Sequence, residues 1–186
     1  MDTDDFPTPS ETPETIDPER LKERIEDQDA VTIVDVRSVA DYEEWHIEAE
    51  SVESVNVPYE AFEGETVAPE TLAPIPDDRE VVVLCAQGKA SEFVAGRLLE
   101  RDYDAVQLAD GMDGWARIYE AEEVTAYDGA GTLLQYQRPS SGCLSYLLYD
   151  DGEAAIIDPL RAFTDRYLDD AASLGVDLVY AIDTHV

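Results

Sequence analysis

Lysine is nearly missing from this sequence: Lys22 and Lys89 are the only two in 186 residues. Arginine does little to restore the balance, since all basic residues together number 12 against 44 acidic ones, a formal charge of -32. A surface of that sign repels nucleic acid and anionic membranes, so neither is an expected partner. Cysteine is equally scarce. Cys85 and Cys143 lie far apart with no C-x-x-C spacing, which excludes a disulfide framework and a zinc knuckle but leaves a reactive thiol open. His46 and His185 are the only histidines and sit in different segments, so no metal and no cofactor are expected. No apolar run approaches the ~18 to 20 residues that span a bilayer. The start, Met1 to Phe6, lacks the basic and apolar regions of a secretory signal, and a cytoplasmic protein is expected.

What the chain does have is apolar residues, 44% of the total, enough to bury a core. The acidic excess is therefore read as the coat of a folded protein rather than as disorder. Lysine replaced by acid and arginine resembles the proteins of salt-in halophiles, such as those of haloarchaea. At molar salt the Debye length falls to ~3 Å, which screens the self-repulsion of such a coat, so folding is expected to require salt.

Residues 1–15, with Pro7, Pro9, Pro13, five acids and no base, read as a disordered leader. From Ile16 the pattern becomes regular. Asp17 is placed as a helix N-cap with Pro18 at the first helical position, and Ile16 and Leu21 have the spacing of a hydrophobic staple. Apolar runs at Val31 to Val36, Val52 to Val57, Val81 to Leu84 and Ala105 to Leu108 then alternate with helical patterns at Val39 to Trp45, Ser91 to Arg101 and Met112 to Tyr119. Strand and helix in alternation, with uninterrupted runs such as VVVL, predict an α/β domain over 16–120: a parallel sheet with helices on both faces. Beyond Glu120 the sequence turns β-rich, with strands expected at Thr132 to Gln137, Leu144 to Tyr149 and Glu153 to Ile157, the last two joined by the turn Asp150, Asp151, Gly152. A helix over Thr164 to Leu174 with Gly175 after it, then a buried strand over Asp177 to Asp183, complete the segment 121–186.

One position carries nucleophile chemistry. Cys85 follows VVVL directly, and Ala86, Gln87, Gly88, Lys89 and Ala90 separate it from Ser91, where a helix opens. A strand, a tight loop and a helix N-terminus point backbone N–H groups at one anion. Gly88 takes positive φ cheaply and Lys89 adds a positive charge, so a thiolate at Cys85 is stabilised. A cysteine at a strand end can also be a small buried apolar group, and position alone favours that. The second reading fits Cys143, which starts an expected core strand with no cation beside it.

The residues of 16–120 resemble the rhodanese family. Asp35, Val36 and Arg37 match its D-V-R strand end; Tyr42, His46 and Ile47 match E-Y-x-x-G-H-I, with Trp45 where Gly is usual; Asn56, Val57 and Pro58 match N-I/V-P. Cys85, Gly88 and Ser91 match the C-x-x-G-x-x-S active loop, and Gly111, Met112 and Trp115 match G-G-M-x-x-W. The resemblance implies sulfur transfer. Cys85 takes sulfur from thiosulfate or a persulfide, holds it as a persulfide and passes it to a thiol or other thiophilic acceptor, while Ala86, Gln87, Gly88, Lys89, Ala90 and Ser91 bind the substrate. The family often has Arg at the position of Ala90, so donor preference is left open. Phosphatases of related fold use a loop one residue longer that ends in Arg, which speaks against that activity here. For Asp35, Arg37, His46 and Trp115 the expected role is structural.

The segment from 121 resembles the start of a metallo-β-lactamase-type domain of the persulfide dioxygenase and glyoxalase-like branch, on Ser145, Tyr146, Leu147, the run Ala155 to Pro159, and Thr184, His185, Val186. In that family T-H-x continues into H-A-D-H, and this sequence ends after the first histidine. The resemblance implies an incomplete, β-rich fragment with exposed apolar surface, through which the chain meets a separate metallo-β-lactamase-type partner or oligomerises. A second class of function follows: a non-catalytic persulfide carrier or docking module.

Overall fold

A computed structural model describes residues 7–64 and 66–185. The chain divides into two units, the first ending at Arg117 and the second beginning at Ile118. Among the described residues no helix is long and apolar enough to cross a membrane.

The first unit is built on a five-stranded parallel sheet of β1 (Glu14–Ile16), β2 (Val31–Asp35), β3 (Val52–Asn56), β4 (Val81–Leu84) and β5 (Ala105–Leu108), in the spatial order β1-β5-β4-β2-β3. All five residues of β2 and all four of β4 are buried. Successive side chains of a strand point to opposite faces, so full burial means that both faces are covered. Val81, Val83 and Cys85 pack with Phe93, Val94 and Leu98 of α4 (Lys89–Leu99). Leu21 of α1 (Pro18–Glu26) and Met112 and Trp115 of α5 (Gly111–Ala116) are also buried, and these two helices pack against each other. The short helices α2 (Val39–Glu44) and α3 (Pro69–Leu72) complete the unit. Each fully buried Val or Leu contributes about 1.5–3 kcal/mol, so the apolar strands are the main source of stability.

Ser38 caps α2 by accepting the Asp41 amide at 3.2 Å. Asp17 takes the N-cap position of α1 as expected, but its side chain makes no capping hydrogen bond; its carbonyl accepts from Leu21 N–H at 3.0 Å. The four motif residues expected to be structural make structural contacts. Arg37 grips the buried Asp35 carboxylate through Nε at 3.1 Å and Nη2 at 2.6 Å, and Nη2 also donates to the Trp45 carbonyl at 2.7 Å. His46 Nδ1 lies 2.9 Å from the Tyr42 carbonyl. Trp115 is buried in the core.

The expected leader needs correction from Pro9 onward. Residues 1–6 lie outside the described residues, but Pro9 and Glu11 lie against Gly96 of α4, where a side chain would collide with them, and Ser10 hydrogen-bonds Glu100. Glu14–Ile16 then pairs in parallel with Val106–Leu108. Composition hid this strand because backbone pairing to a sheet edge asks little of the side chains. Two helix boundaries also moved: α4 starts two residues before Ser91, and α5 ends three before Tyr119.

The second unit is a mixed sheet of β6 (Glu120–Glu123), β7 (Thr132–Arg138), β8 (Cys143–Asp150), β9 (Glu153–Ile157) and β10 (Asp177–Ile182), ordered β10-β9-β8-β7-β6. The first four strands form an antiparallel meander, and β10 returns parallel to β9 after α6 (Thr164–Leu174). Tyr167 and Ala171 of α6 pack on Tyr136, Leu147, Ala154 and Ile156. The strand expected to be buried here is instead mostly exposed: Val179, Tyr180 and Ile182 are 45%, 65% and 46% accessible. It forms the sheet's edge, so its apolar content does not place it inside. Cys143 is half-buried rather than buried.

Beneath α6, Tyr119 donates to Ser145 Oγ at 2.8 Å, its hydroxyl lies 2.5 Å from that of Tyr167, and Ser145 donates to the Asp158 carbonyl at 2.7 Å. Burial pushes the Tyr119 phenol above its ordinary value, and burial followed by the Asp170 carboxylate does the same to Tyr136. A raised folded value means that this contribution to stability is complete below the ordinary tyrosine value of about 10 and is lost as pH rises beyond it. Melts of the chain between neutral pH and pH ~11 should show a midpoint that holds and then falls above pH ~10, together with late, cooperative tyrosinate absorbance. Ionisation of all ten tyrosines, with none delayed beyond ~10, while the fold persists would contradict this packing.

Candidate active site

β4 ends at Leu84, and the chain leaves the sheet through Cys85 into a loop that closes on α4. Gly88 is the N-cap of α4 with φ +87, a left-handed conformation that favours glycine. That turn brings the Gly88 N–H to 3.1 Å from Cys85 Sγ, and the amide donates to the sulfur. Ser91, fully buried, places its hydroxyl 3.5 Å from the same sulfur. Cys85 itself is buried at 6% accessibility.

The loop is fastened from below by α5. Met112 N–H donates to the Cys85 carbonyl at 2.8 Å and Asp113 N–H to the Ala86 carbonyl at 2.9 Å, while Gln87 Nε2 donates to the Asp113 carboxylate at 3.2 Å. Gly111 makes this possible with φ +55 and with no Cβ, which would otherwise run into the Cys85 carbonyl.

A cavity of about 350 Å³ opens over Cys85. Ala86, Gln87, Lys89 and Ala90 line it from the cysteine loop; Gly88 and Ser91 are not on its wall and touch the sulfur instead. The structure therefore brings all seven residues singled out in the loop together, in two groups. Sequence reasoning missed the other walls: Val36, Arg37 and Asp41 around the start of α2, and Tyr59 and Glu60 in the 3-10 turn after β3. The available signal was topological, since ligands of open α/β sheets bind outside the carboxyl ends of the strands, where the segments after β2 and β3 lie.

The arrangement of a buried thiol under an open cavity, with an amide and a hydroxyl turned toward the sulfur, can hold an anionic sulfur and expose it to a small molecule. The chain belongs to the rhodanese-like domain family, whose model matches residues 17–118. It is similar to a sulfurtransferase of Allochromatium vinosum, 30% identical over 103 residues that cover 55% of this chain and 87% of that protein. Among solved structures it is similar to a rhodanese-like domain protein from Staphylococcus aureus, with 24% identity, a TM-score of 0.47, and coverage of 55% of this chain and 90% of that one. A NAD-dependent persulfide reductase from A. fulgidus shares 31% identity at a TM-score of 0.41 over 55% of this chain and 16% of that one. Family and relative together support a function of the sulfurtransferase type.

Proposed function

We propose that the protein is a sulfurtransferase in which Cys85 carries sulfane sulfur as a persulfide between thiosulfate or a persulfide donor and a thiophilic acceptor. The observation that carries this reading is the Gly88 amide donating to Cys85 Sγ at 3.1 Å, at the floor of an open cavity. The Cys85 thiolate attacks the donor's outer sulfur. The donor's S–S bond breaks, and its electron pair leaves with sulfite or with a thiolate. The acceptor then attacks the outer sulfur of the Cys85 persulfide, and the bonding pair returns to Cys85 Sγ. Positioned amide and hydroxyl groups stabilise the sulfur anion in each state without reorganising. Lys89, exposed on the cavity wall, adds a positive charge at the mouth.

A second reading is kept because the second unit exposes Val179, Tyr180 and Ile182 on one edge strand. There the segment is the start of a metallo-β-lactamase-type domain, and the chain delivers its persulfide to a separate enzyme of that type. Thr184 and His185 of that resemblance meet Asp158 of its earlier run: Thr184 N–H and Oγ1 donate to the Asp158 carboxylate at 2.7 and 2.5 Å, and His185 Nδ1 lies 3.4 Å from it, while Val186 lies outside the described residues. Thr184 is also the main reason the Asp158 carboxyl is held below the usual range.

Turnover separates the two. With an excess of sulfur donor and cyanide in molar potassium chloride, a sulfurtransferase forms many thiocyanate ions per chain, and this is the expected result. One equivalent followed by arrest would favour the carrier, and no uptake at all would remove both.

A further inference from the structure

We propose that the donor for Cys85 is an organic persulfide bearing an ammonium group, selected over thiosulfate by the carboxylates of Asp41 and Glu60 in the cavity wall. This rests on the sulfur-transfer reading above and specifies its substrate. The first support is size. A cavity of about 350 Å³ lies in the range of ~300–1,000 Å³ that accommodates organic ligands, and a compact inorganic dianion would fill a small part of it.

The second support is charge. Four charged side chains line the cavity: Arg37, Asp41, Glu60 and Lys89. Arg37 is already matched by the Asp35 carboxylate, its Nη2 lying 2.6 Å from Oδ2, and gives a further hydrogen to the Trp45 carbonyl. That leaves Lys89 against two carboxylates, and among the described residues neither Asp41 nor Glu60 makes an ion pair. Asp41 is fixed in place, since Ser38 Oγ donates to its Oδ2 at 2.5 Å. At molar salt the field of the whole coat is screened within ~3 Å, so discrimination falls to the charges a donor touches, and a cavity wall with that balance disfavours a dianion and favours a cationic group.

The third support is the apolar remainder of the wall. Val36, Tyr59, Ala86 and Ala90 offer surface to the carbon chain that joins a persulfide to its ammonium group. The step balances within donor and enzyme. Cys85 sulfur bonds to the terminal sulfur of R–S–SH, the S–S bond breaks with its electron pair going to R–S, and the proton of the outer sulfur passes to that leaving thiolate.

The experiment treats the full chain with three donors at matched concentration and salt: the persulfides of cysteamine and of 3-mercaptopropionate, and thiosulfate. The rate at which one sulfur atom appears on the Cys85 peptide is read by mass spectrometry. The aminoethyl donor should load Cys85 about five- to ten-fold faster than the carboxylate donor, the range that two solvent-facing ion pairs supply. Asp41→Asn combined with Glu60→Gln should bring that ratio close to one, and Glu60→Gln alone, on an exposed turn, should lower it part of the way. The persulfide of 2-mercaptoethanol, whose carbon chain carries no charged group, serves as the control that the double variant still folds and reacts. Equal rates for the charged donors, or a preference unchanged in the double variant, with sulfur still appearing on Cys85, would overturn this inference and leave sulfur transfer standing. Absence of sulfur on Cys85 with every donor would overturn the transfer reading itself.

Discussion

Cys85→Ser should abolish sulfur transfer and leave the thermal midpoint of the protein nearly unchanged. Serine is close in shape to cysteine, and its hydroxyl can accept from the Gly88 amide and meet Ser91, so the loop keeps its closing contacts. What disappears is the nucleophile: a serine hydroxyl without an adjacent base does not attack a sulfane sulfur at neutral pH, and no such base touches Cys85 Sγ among the described residues. Turnover with thiosulfate or a persulfide and cyanide should therefore fall to the uncatalysed rate. Cys143→Ser is the matched control. Cys143 is half-buried at the start of β8 in the other unit, and activity should stay within about two-fold of the parent, because surface-proximal changes away from a site usually cost under ~0.5 kcal/mol. Sulfur uptake mapped to Cys143, or turnover retained in Cys85→Ser, would show that the mechanism is wrong.

The strands β2 and β4 were legible in advance because burial on both faces leaves a run of apolar and β-branched residues without the alternation of a half-exposed strand. β2 and β4 lie where their valine runs are, and the meander of the second unit follows its turn residues. β1 and β6 were not legible: Glu14–Ile16 and Glu120–Glu123 are short edge strands whose side chains are mostly charged or exposed, so their pairing is a backbone matter. β10 shows the converse. Its residues Leu178, Val179, Tyr180 and Ile182 are apolar, yet they are half-buried or exposed, because composition reports which residues could be buried and not whether a cover is present.

The site divides in the same way. The local half, from Cys85 to Ser91, could be read because its chemistry is written in consecutive residues. Asp41, Tyr59 and Glu60 could not be read, since they reach the cavity only when β2 and β3 are laid parallel beside β4 and the segments that follow come to the same end of the sheet. The charges of Asp41 and Glu60 also run against the lysine that the local reading emphasised. Composition could not separate the carboxylates that face a ligand from the rest of the 44 acidic residues that coat the chain.

Gly111→Ala should be the most damaging single methyl addition in the first unit. The position combines φ +55 with a Cβ direction that runs into the Cys85 carbonyl, and backbone atoms on both sides prevent relief by a side-chain rotation. Left-handed backbone costs an alanine ~1–2 kcal/mol on its own, and displacing the Cys85 carbonyl weakens the hydrogen bonds from Met112 and Asp113 that fasten the loop. Together these come to about 3 kcal/mol, which for a unit of this size lowers the midpoint by about 10 °C. Activity should fall further than stability accounts for, because the amide of Gly88 and the sulfur of Cys85 are held together by the loop that the α5 N-terminus supports. Rates measured well below the lowered midpoint isolate that second effect. Gly142→Ala is the comparison: φ is +66 there, but no atom lies within 4 Å of the added Cβ, so it should cost only the conformational part, about 1 kcal/mol, and leave sulfur transfer intact. If Gly111→Ala proves no more damaging than Gly142→Ala in both stability and rate, the fastening of the cysteine loop by α5 is not what shapes the site.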